Sequence, residues 1–358
     1  MYQFTPAQLD RNFRDVTLAP ELADYRDSRD PVFSLSGFAW FERERLYCRL
    51  PQAALLCFPE ELQQLAWNTS GGMIRFCSDT DVISIRAKLL YREDYPHMPR
   101  TCSSGFDIYC GKGFSRKFYG VVKPEYGALS YENAVYLPND DHQTREWLIH
   151  FPLFNGVESL HIGVRRGRKI EPATPFTREL PIVFYGSSIT HGACASRPGN
   201  SYVNILSRRF DSPVVNLGFS GNAKGEAEMA RLIAGLRMSC FVMDYDYNAP
   251  TVEHLQNTHY AFYDIIRQAR PDLPILLLSR PNVCAEIPEY IERRRIVANT
   301  YQKALQSGDQ NIYFLDGESF FLGAERWDCT VDGVHPTDLG FWRMADRIAS
   351  VLDPILNG

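Results

Sequence analysis

The chain has 358 residues, 45% of them apolar and 23% charged, and a formal net charge of −5 at pH 7. That length exceeds one ordinary core and predicts two domains in a globular protein. The acidic balance argues against a dedicated binder of nucleic acid or of an anionic membrane, and no run approaches the roughly 18 apolar residues of a membrane span.

The first residues, MYQFTPAQLDRNFRD, are charged early and lack a signal-peptide pattern, so a cytoplasmic location is expected. The nine cysteines are scattered without CxxC pairs, which fits reduced thiols better than a disulfide framework or a zinc site. Up to about residue 175 the chain reads as β. Ile83 to Leu89 alternates strictly between apolar and polar residues, the pattern of a strand with one buried face. Similar runs follow at Met73–Phe76, Phe106–Tyr109, Phe118–Val122, Ala134–Leu137, Trp147–Phe151 and Leu160–Val164, with a turn at Pro138–Asp141. Many short strands without a long helical pattern predict a β-sandwich over 1–175. The basic cluster Arg165 to Lys169 reads as a solvated edge or an interdomain contact, and Glu171 to Pro175 as a linker.

Over 176–358, unbroken apolar strands alternate with helical stretches. The strands are Leu180–Tyr185, Val214–Leu217, Cys240–Asp244, Ile275–Ser279 and Ile312–Leu315. Helices are expected near 200–210, 224–237, 251–269 and 288–306, and from about 337. This alternation predicts an α/β domain, a parallel sheet covered on both faces in three α/β/α layers. Ligands bind at the carboxyl ends of such strands. Four polar segments fall there.

Ester hydrolysis needs a hydroxyl nucleophile, an imidazole to take its proton and a carboxylate to hold the imidazole. Ser188, in Tyr185-Gly186-Ser187-Ser188-Ile189-Thr190-His191-Gly192, with His335 and Asp332, in Asp332-Gly333-Val334-His335-Pro336, are candidates for these parts. Taken singly, Ser188 also suits a helix N-cap and Asp332 a turn. His191 is too close in sequence to reach the Ser188 hydroxyl as a base and is expected at a pocket rim. Cys194 has no evident activating neighbour and reads as a small packed or half-exposed thiol. Asp244 and Asp246 could be taken with Asp332 for a metal set, but no His or Glu spacing supports one, and they read as loop anchors. Gly218 is expected to serve only the strand-to-loop turn.

These segments together resemble the blocks of the SGNH (GDSL-type) hydrolase family. The resemblance covers roughly residues 180 to 358, in the family's order. It implies Ser188 as nucleophile, Asp332 and His335 as its partners, and an oxyanion hole from the N–H groups of Ser188 and Gly221 and the Asn248 amide. Ser187 replaces the usual Asp of the first block. The third block lacks its usual Gly at Asp246 and Asp at Ala249, which leaves Asn222 as an alternative amide donor.

Gly105-Phe106-Asp107-Ile108-Tyr109 is similar to the Gly-x-Asp-Leu-Tyr motif of a jelly-roll-like β-sandwich that precedes one subgroup of these esterases. Gly192 to Gly199 is also similar to that subgroup. Asp107 and Tyr109 could project into the cleft or form a turn with a packed Tyr. Arg197 could clamp a polar substrate or pair with a carboxylate. The resemblance implies no metal or organic cofactor and a small-molecule ester substrate, with acetylated carbohydrate first. The rivals are an acyltransferase using the same three residues and a non-catalytic carbohydrate-binding protein.

Overall fold

The computed structural model describes residues 4, 6–10, 16–92, 94–137, 142–284 and 286–357. The expected turn at Pro138–Asp141 lies outside the described residues. The described residues of the first half carry ten strands: β1 Ala23–Asp27, β2 Ser34–Ser36, β3 Met73–Ser78, β4 Val82–Leu89 and β5 Phe106–Cys110, then β6 Lys117–Val122, β7 Ser130–Tyr136, β8 Arg145–His150, β9 Val157–Arg165 and β10 Ile170–Pro172. They form two antiparallel sheets, ordered β1-β9-β4-β7 and β10-β3-β8-β5-β6, with β2 also on β3. Alternate residues of facing strands, such as Ile83 and Ile85 of β4, Phe106 and Ile108 of β5, and Trp147 and Ile149 of β8, fill the space between the sheets. The Arg165 to Lys169 cluster is an edge of this sandwich, where Arg165 pairs with Asp81 and Arg168 with Asp79.

Two expectations are corrected here. Glu171 and Pro172, read as the start of a linker, belong to β10, which pairs with β3. The first half is also not purely β. It holds short helices α1 Pro6–Leu9, α2 Phe41–Glu44, α3 Gln52–Leu55, α4 Glu60–Ala66 and α5 Arg100–Ser103. Helices this short draw their stability from tertiary packing rather than local propensity. Leu62 and Ala66 of α4, with Cys48, Leu50 and Phe58, pack against the sheet of the second half.

That second sheet is parallel, ordered β12-β11-β13-β14-β15, from β11 Ile182–Gly186, β12 Val214–Gly218, β13 Cys240–Asp244, β14 Ile275–Leu278 and β15 Ile312–Leu315. The helices are α6 Ser188–His191, α7 Tyr202–Phe210, α8 Ala227–Ala234, α9 Val252–Ala269, α10 Pro288–Gln306 and α11 Asp338–Asn357. Ile182 and Phe184 face α7 and α11. Val183 and Tyr185 face α8, α9 and α10. Three α/β/α layers result, as the alternation predicts.

Strand β12 lies at the sheet edge, where backbone carbonyls would otherwise lack donors. Arg49, fully buried, supplies them: its guanidinium donates to Asn216 O at 3.1 Å, to Gly218 O, and to Leu65 O at 2.7 Å, and lies over the Phe219 ring. Burial lowers its pKa to about 9, so it stays charged at neutral pH. Arg49→Met preserves most of the volume but leaves two buried carbonyls unsatisfied, and should cost about 3 kcal/mol. Urea unfolding at pH 7 checks this; a loss below about 0.5 kcal/mol contradicts the assigned role.

Candidate active site

In the order β12-β11-β13-β14-β15 the chain reverses its direction of growth at β11, and the crevice at such a switch point lies beyond the carboxyl ends of the strands. Ser188 follows β11, Gly221 follows β12 and Asn248 follows β13. Strand β11 ends in Gly186, where a Cβ would come 2.0 Å from Thr190 Oγ1 and 2.5 Å from Asp244 O, so only glycine lets α6 turn back so tightly. Ser187 caps that single turn, its Oγ accepting from Ile189 N–H at 3.2 Å. The carbonyls at its other end are met by Asn216 Nδ2, 2.7 Å from Thr190 O, and by Ser70 Oγ, 2.7 Å from His191 O.

The structure brings Ser188, His335 and Asp332 into one line. Ser188 Oγ lies 3.0 Å from His335 Nε2, and His335 Nδ1 lies 2.7 Å from Asp332 Oδ2. The other Asp332 oxygen accepts from the backbone N–H groups of His335, at 2.8 Å, and Val334, at 3.0 Å. Burial pushes the Asp332 carboxyl up, but the His335 side-chain bond and these backbone bonds outweigh it and hold the group below the usual range. The loop is closed by Val331 N–H donating to His335 O at 2.8 Å, with Gly333 at φ +83° making the turn. An ionised carboxylate on Nδ1 leaves Nε2 free to take a proton from Ser188.

Next to the hydroxyl, the Ser188 and Gly221 N–H groups donate to no acceptor among the described residues. Gly221 sits at φ +69° with open space where a Cβ would be. The Asn248 amide donates to Phe219 O at 2.8 Å, which ties the third block to the second and leaves it one N–H to give. Asn222 bonds Ser220 O at 3.1 Å.

Other expected residues stand elsewhere. His191 is fully buried rather than at a rim: its ring stacks on Phe154 at 4.0 Å and Nε2 donates to Leu153 O at 2.7 Å. Gly218 makes no turn; a Cβ there would come 2.3 Å from His191 N, so it permits close packing of β12 on α6. Cys194 is buried, and burial, then Asp332, pushes its thiol up to about 12, leaving no thiolate at neutral pH. Asp107 and Tyr109 are buried in the seam between the two halves rather than in the cleft. Arg197 takes the second of its two expected roles and pairs with Asp107 at 2.9 Å.

Asp244 and Asp246 do not join Asp332. Asp244 Oδ2 accepts from Thr190 Oγ1 at 2.9 Å and Tyr202 OH at 3.0 Å beneath α6, and Asp246 Oδ2 accepts from Arg280 N–H at 3.1 Å. One residue that sequence reading missed is His97, exposed on the loop between β4 and β5, whose ring centroid lies 5.9 Å from that of His335. Nothing local marks it, because its partner comes from the other half of the chain.

A three-layer parallel sheet with serine, imidazole and carboxylate aligned at its switch point is the arrangement that the resemblance to SGNH-type hydrolases implies. A model of the GDSL-like lipase/acylhydrolase family matches residues 179–353, and one of the N-terminus of SGNH-hydrolase-type esterases matches residues 23–170. Residues 179–353 thus carry a GDSL-like lipase/acylhydrolase domain, preceded over residues 23–170 by the N-terminal domain of SGNH-hydrolase-type esterases, and the chain is an enzyme of the esterase class. No protein of curated function matches it by sequence. Among solved structures, a Bacteroides ovatus protein described as a GDSL-like lipase is similar at 29% identity, with TM-score 0.84 over 94% of this chain and 98% of the other. The salicylyl-acyltransferase SsfX3 of a tetracycline biosynthetic pathway is similar at 19% identity and TM-score 0.75, over 93% and 97%. A family two carbohydrate esterase from Cellvibrio japonicus follows at 11% identity and TM-score 0.62, over 94% and 98%. The last two show the shared fold. Among the described residues no helix is long and apolar enough to cross a membrane.

Burial, then the neighbouring Asp246, pushes the Asp244 carboxyl up to about 8. A raised acid pKa gives stability that is full below the unfolded value near 3.8 and is lost as pH rises through about 8. Asp244→Asn removes this dependence. The melting temperature of the variant relative to wild type should therefore climb between about pH 4 and pH 8 and level off above; a pH-independent difference contradicts the shift.

Proposed function

We propose that the chain hydrolyses small O-acyl esters, acetyl esters first, with Ser188 as nucleophile, His335 as base and Asp332 as the group that orients it. The 3.0 Å contact between Ser188 Oγ and His335 Nε2 carries this reading. Ser188 attacks the acyl carbonyl as its proton passes to Nε2, and Asp332 stabilises the imidazolium. The tetrahedral oxyanion is received by the Ser188 and Gly221 N–H groups and the free N–H of the Asn248 amide. His335 returns the proton to the departing alcohol, beside His97, and water then resolves the acyl-enzyme.

Water is favoured over an alcohol acceptor because the relay is open to solvent: the His335 and Asp332 side chains are 22% and 41% exposed, whereas transfer to another acceptor requires exclusion of water. Acylated carbohydrate is the first alcohol class to test, on the likeness in fold to the Cellvibrio carbohydrate esterase.

The experiment is a screen of 4-nitrophenyl esters of increasing acyl length and of acetylated sugars, with product analysis with and without added alcohols. Ser188→Ala should abolish turnover, and Asn248→Ala should lower kcat by about 10²–10³ with little change in KM. Full activity in Ser188→Ala removes the nucleophile assignment. Products found only with an added alcohol would instead identify an acyltransferase.

A further inference from the structure

Two sequence motifs take no part in the relay: Gly105 to Tyr109 in the sandwich, and Arg197 to Gly199 beyond the nucleophile turn. In the folded chain they are each other's partners. We infer that they form a latch holding the segment between α6 and α7, that this segment aligns Ser188 with His335, and that Asp107 and Asp338 are its positioning residues. The inference rests on the proposed roles of Ser188 and His335.

Strand β5 sends Phe106, Ile108 and Cys110 into the sandwich core, so Asp107 and Tyr109 point the opposite way, toward the second half. Asp107 is completely buried. One carboxylate oxygen pairs with His150 Nδ1 at 2.8 Å; the other accepts from the Arg197 guanidinium at 2.9 Å and the Gly199 N–H at 2.8 Å. Arg197 also donates to Tyr109 OH, and its guanidinium lies over the Phe118 ring at 3.8 Å. At Gly199 a Cβ would come 2.5 Å from Tyr109 OH and 2.6 Å from Asp107 Oδ2. Glycine is thus required there by the close approach, and both Asp107 oxygens are fully used inside the protein.

The latched segment reaches both halves of the relay. Toward Ser188 it continues directly from α6, where Ala193 N–H donates to Ser188 O at 2.9 Å. Toward His335 it grips Asp338, the first residue of α11, only three positions beyond the imidazole. Ser196 N–H donates to Asp338 Oδ1 at 2.8 Å, Asn200 Nδ2 to Asp338 Oδ2 at 2.7 Å, and the Ser196 hydroxyl joins the same oxygen. A continuous chain of hydrogen bonds therefore runs from the sandwich through residues 196–200 to the helix that follows the imidazole. A shift of about 1 Å between nucleophile and base costs on the order of a hundredfold in rate.

The test uses the full-length chain with Asp107→Asn and Asp338→Asn. A fluorophosphonate titrates competent Ser188, so that turnover of 4-nitrophenyl acetate is counted per active site rather than per molecule. Both variants should lose about ten- to hundredfold in kcat per titrated site with KM within about twofold. Arg197→Lys should retain more of that turnover than Arg197→Met. Wild-type kcat per titrated site in both Asp variants, even with a lowered melting temperature, overturns the latch as a positioning device. If Asp107→Asn does not fold, Asp338→Asn, which leaves the contact between the halves intact, decides by the same criterion. Failure of the probe to label wild-type Ser188 overturns the relay and the latch together, whereas a labelled wild type with unaffected variants overturns the latch alone.

Discussion

Strand β5 buries Phe106 and Ile108 on one side and Asp107 and Tyr109 on the other. Its neighbours in the same sheet do likewise: Met73 of β3 and Leu148 of β8 belong to the core around α7 and α11, while Ile74 and Ile149 belong to the sandwich interior. A sheet buried on both faces cannot be one wall of an independent module. It fuses the two halves through a shared apolar core, and every polar group on that seam needs an internal partner. Asp107 with His150 and Arg197, Arg116 with Glu146 and Asp211, and Arg49 with the β12 carbonyls meet this requirement.

The same demand shapes the nucleophile turn. A single helical turn leaves most of its backbone groups without internal partners. Here Ser187 meets one N–H, and Asn216 and Ser70 meet two carbonyls, the second from the first half of the chain. Among the described residues, the N–H groups of Ser188 and Gly221 beside the hydroxyl donate to no acceptor. Saturating the surroundings concentrates hydrogen-bonding capacity at the one place where negative charge would develop during acyl transfer, and donors held there in advance need no reorganisation. Asp244 contributes from beneath by anchoring Thr190 and Tyr202.

Strands β3 to β9 and the five parallel strands are legible because sheet burial writes itself into the sequence with a period of two, or as short unbroken apolar runs, whereas the edge strands β1, β2 and β10 carry no such pattern. The relay was legible because its members sit within two short segments of restricted composition. Helices α3 and α4, over 52–66, are not, since they are short and stabilised by contact with a sheet whose strands begin at residue 182, while α2 is held by Phe41 in the sandwich core. His191 was misplaced because proximity in sequence to Ser188 says nothing about which way a ring at the end of a turn points. It turns away from the cleft to stack on Phe154. Gly218 reads as a turn residue for a similar reason: the α6 backbone it packs against is invisible in its own stretch of chain.

Residue type and spacing, together with the resemblance to the SGNH blocks, therefore indicated the class of chemistry, the layer architecture and the three candidate residues that the fold brings into hydrogen-bonding reach. Both motifs that flank the seam, around Asp107 and Arg197, were visible as patterns. Only the tertiary structure decided that they meet each other and that Arg49 closes the edge of the parallel sheet. It alone brought His97 within reach of His335. Local periodicity records whether a side chain faces a core, but not which distant segment supplies the other side of that contact. Here the partners lie some 90 to 240 positions apart along the chain.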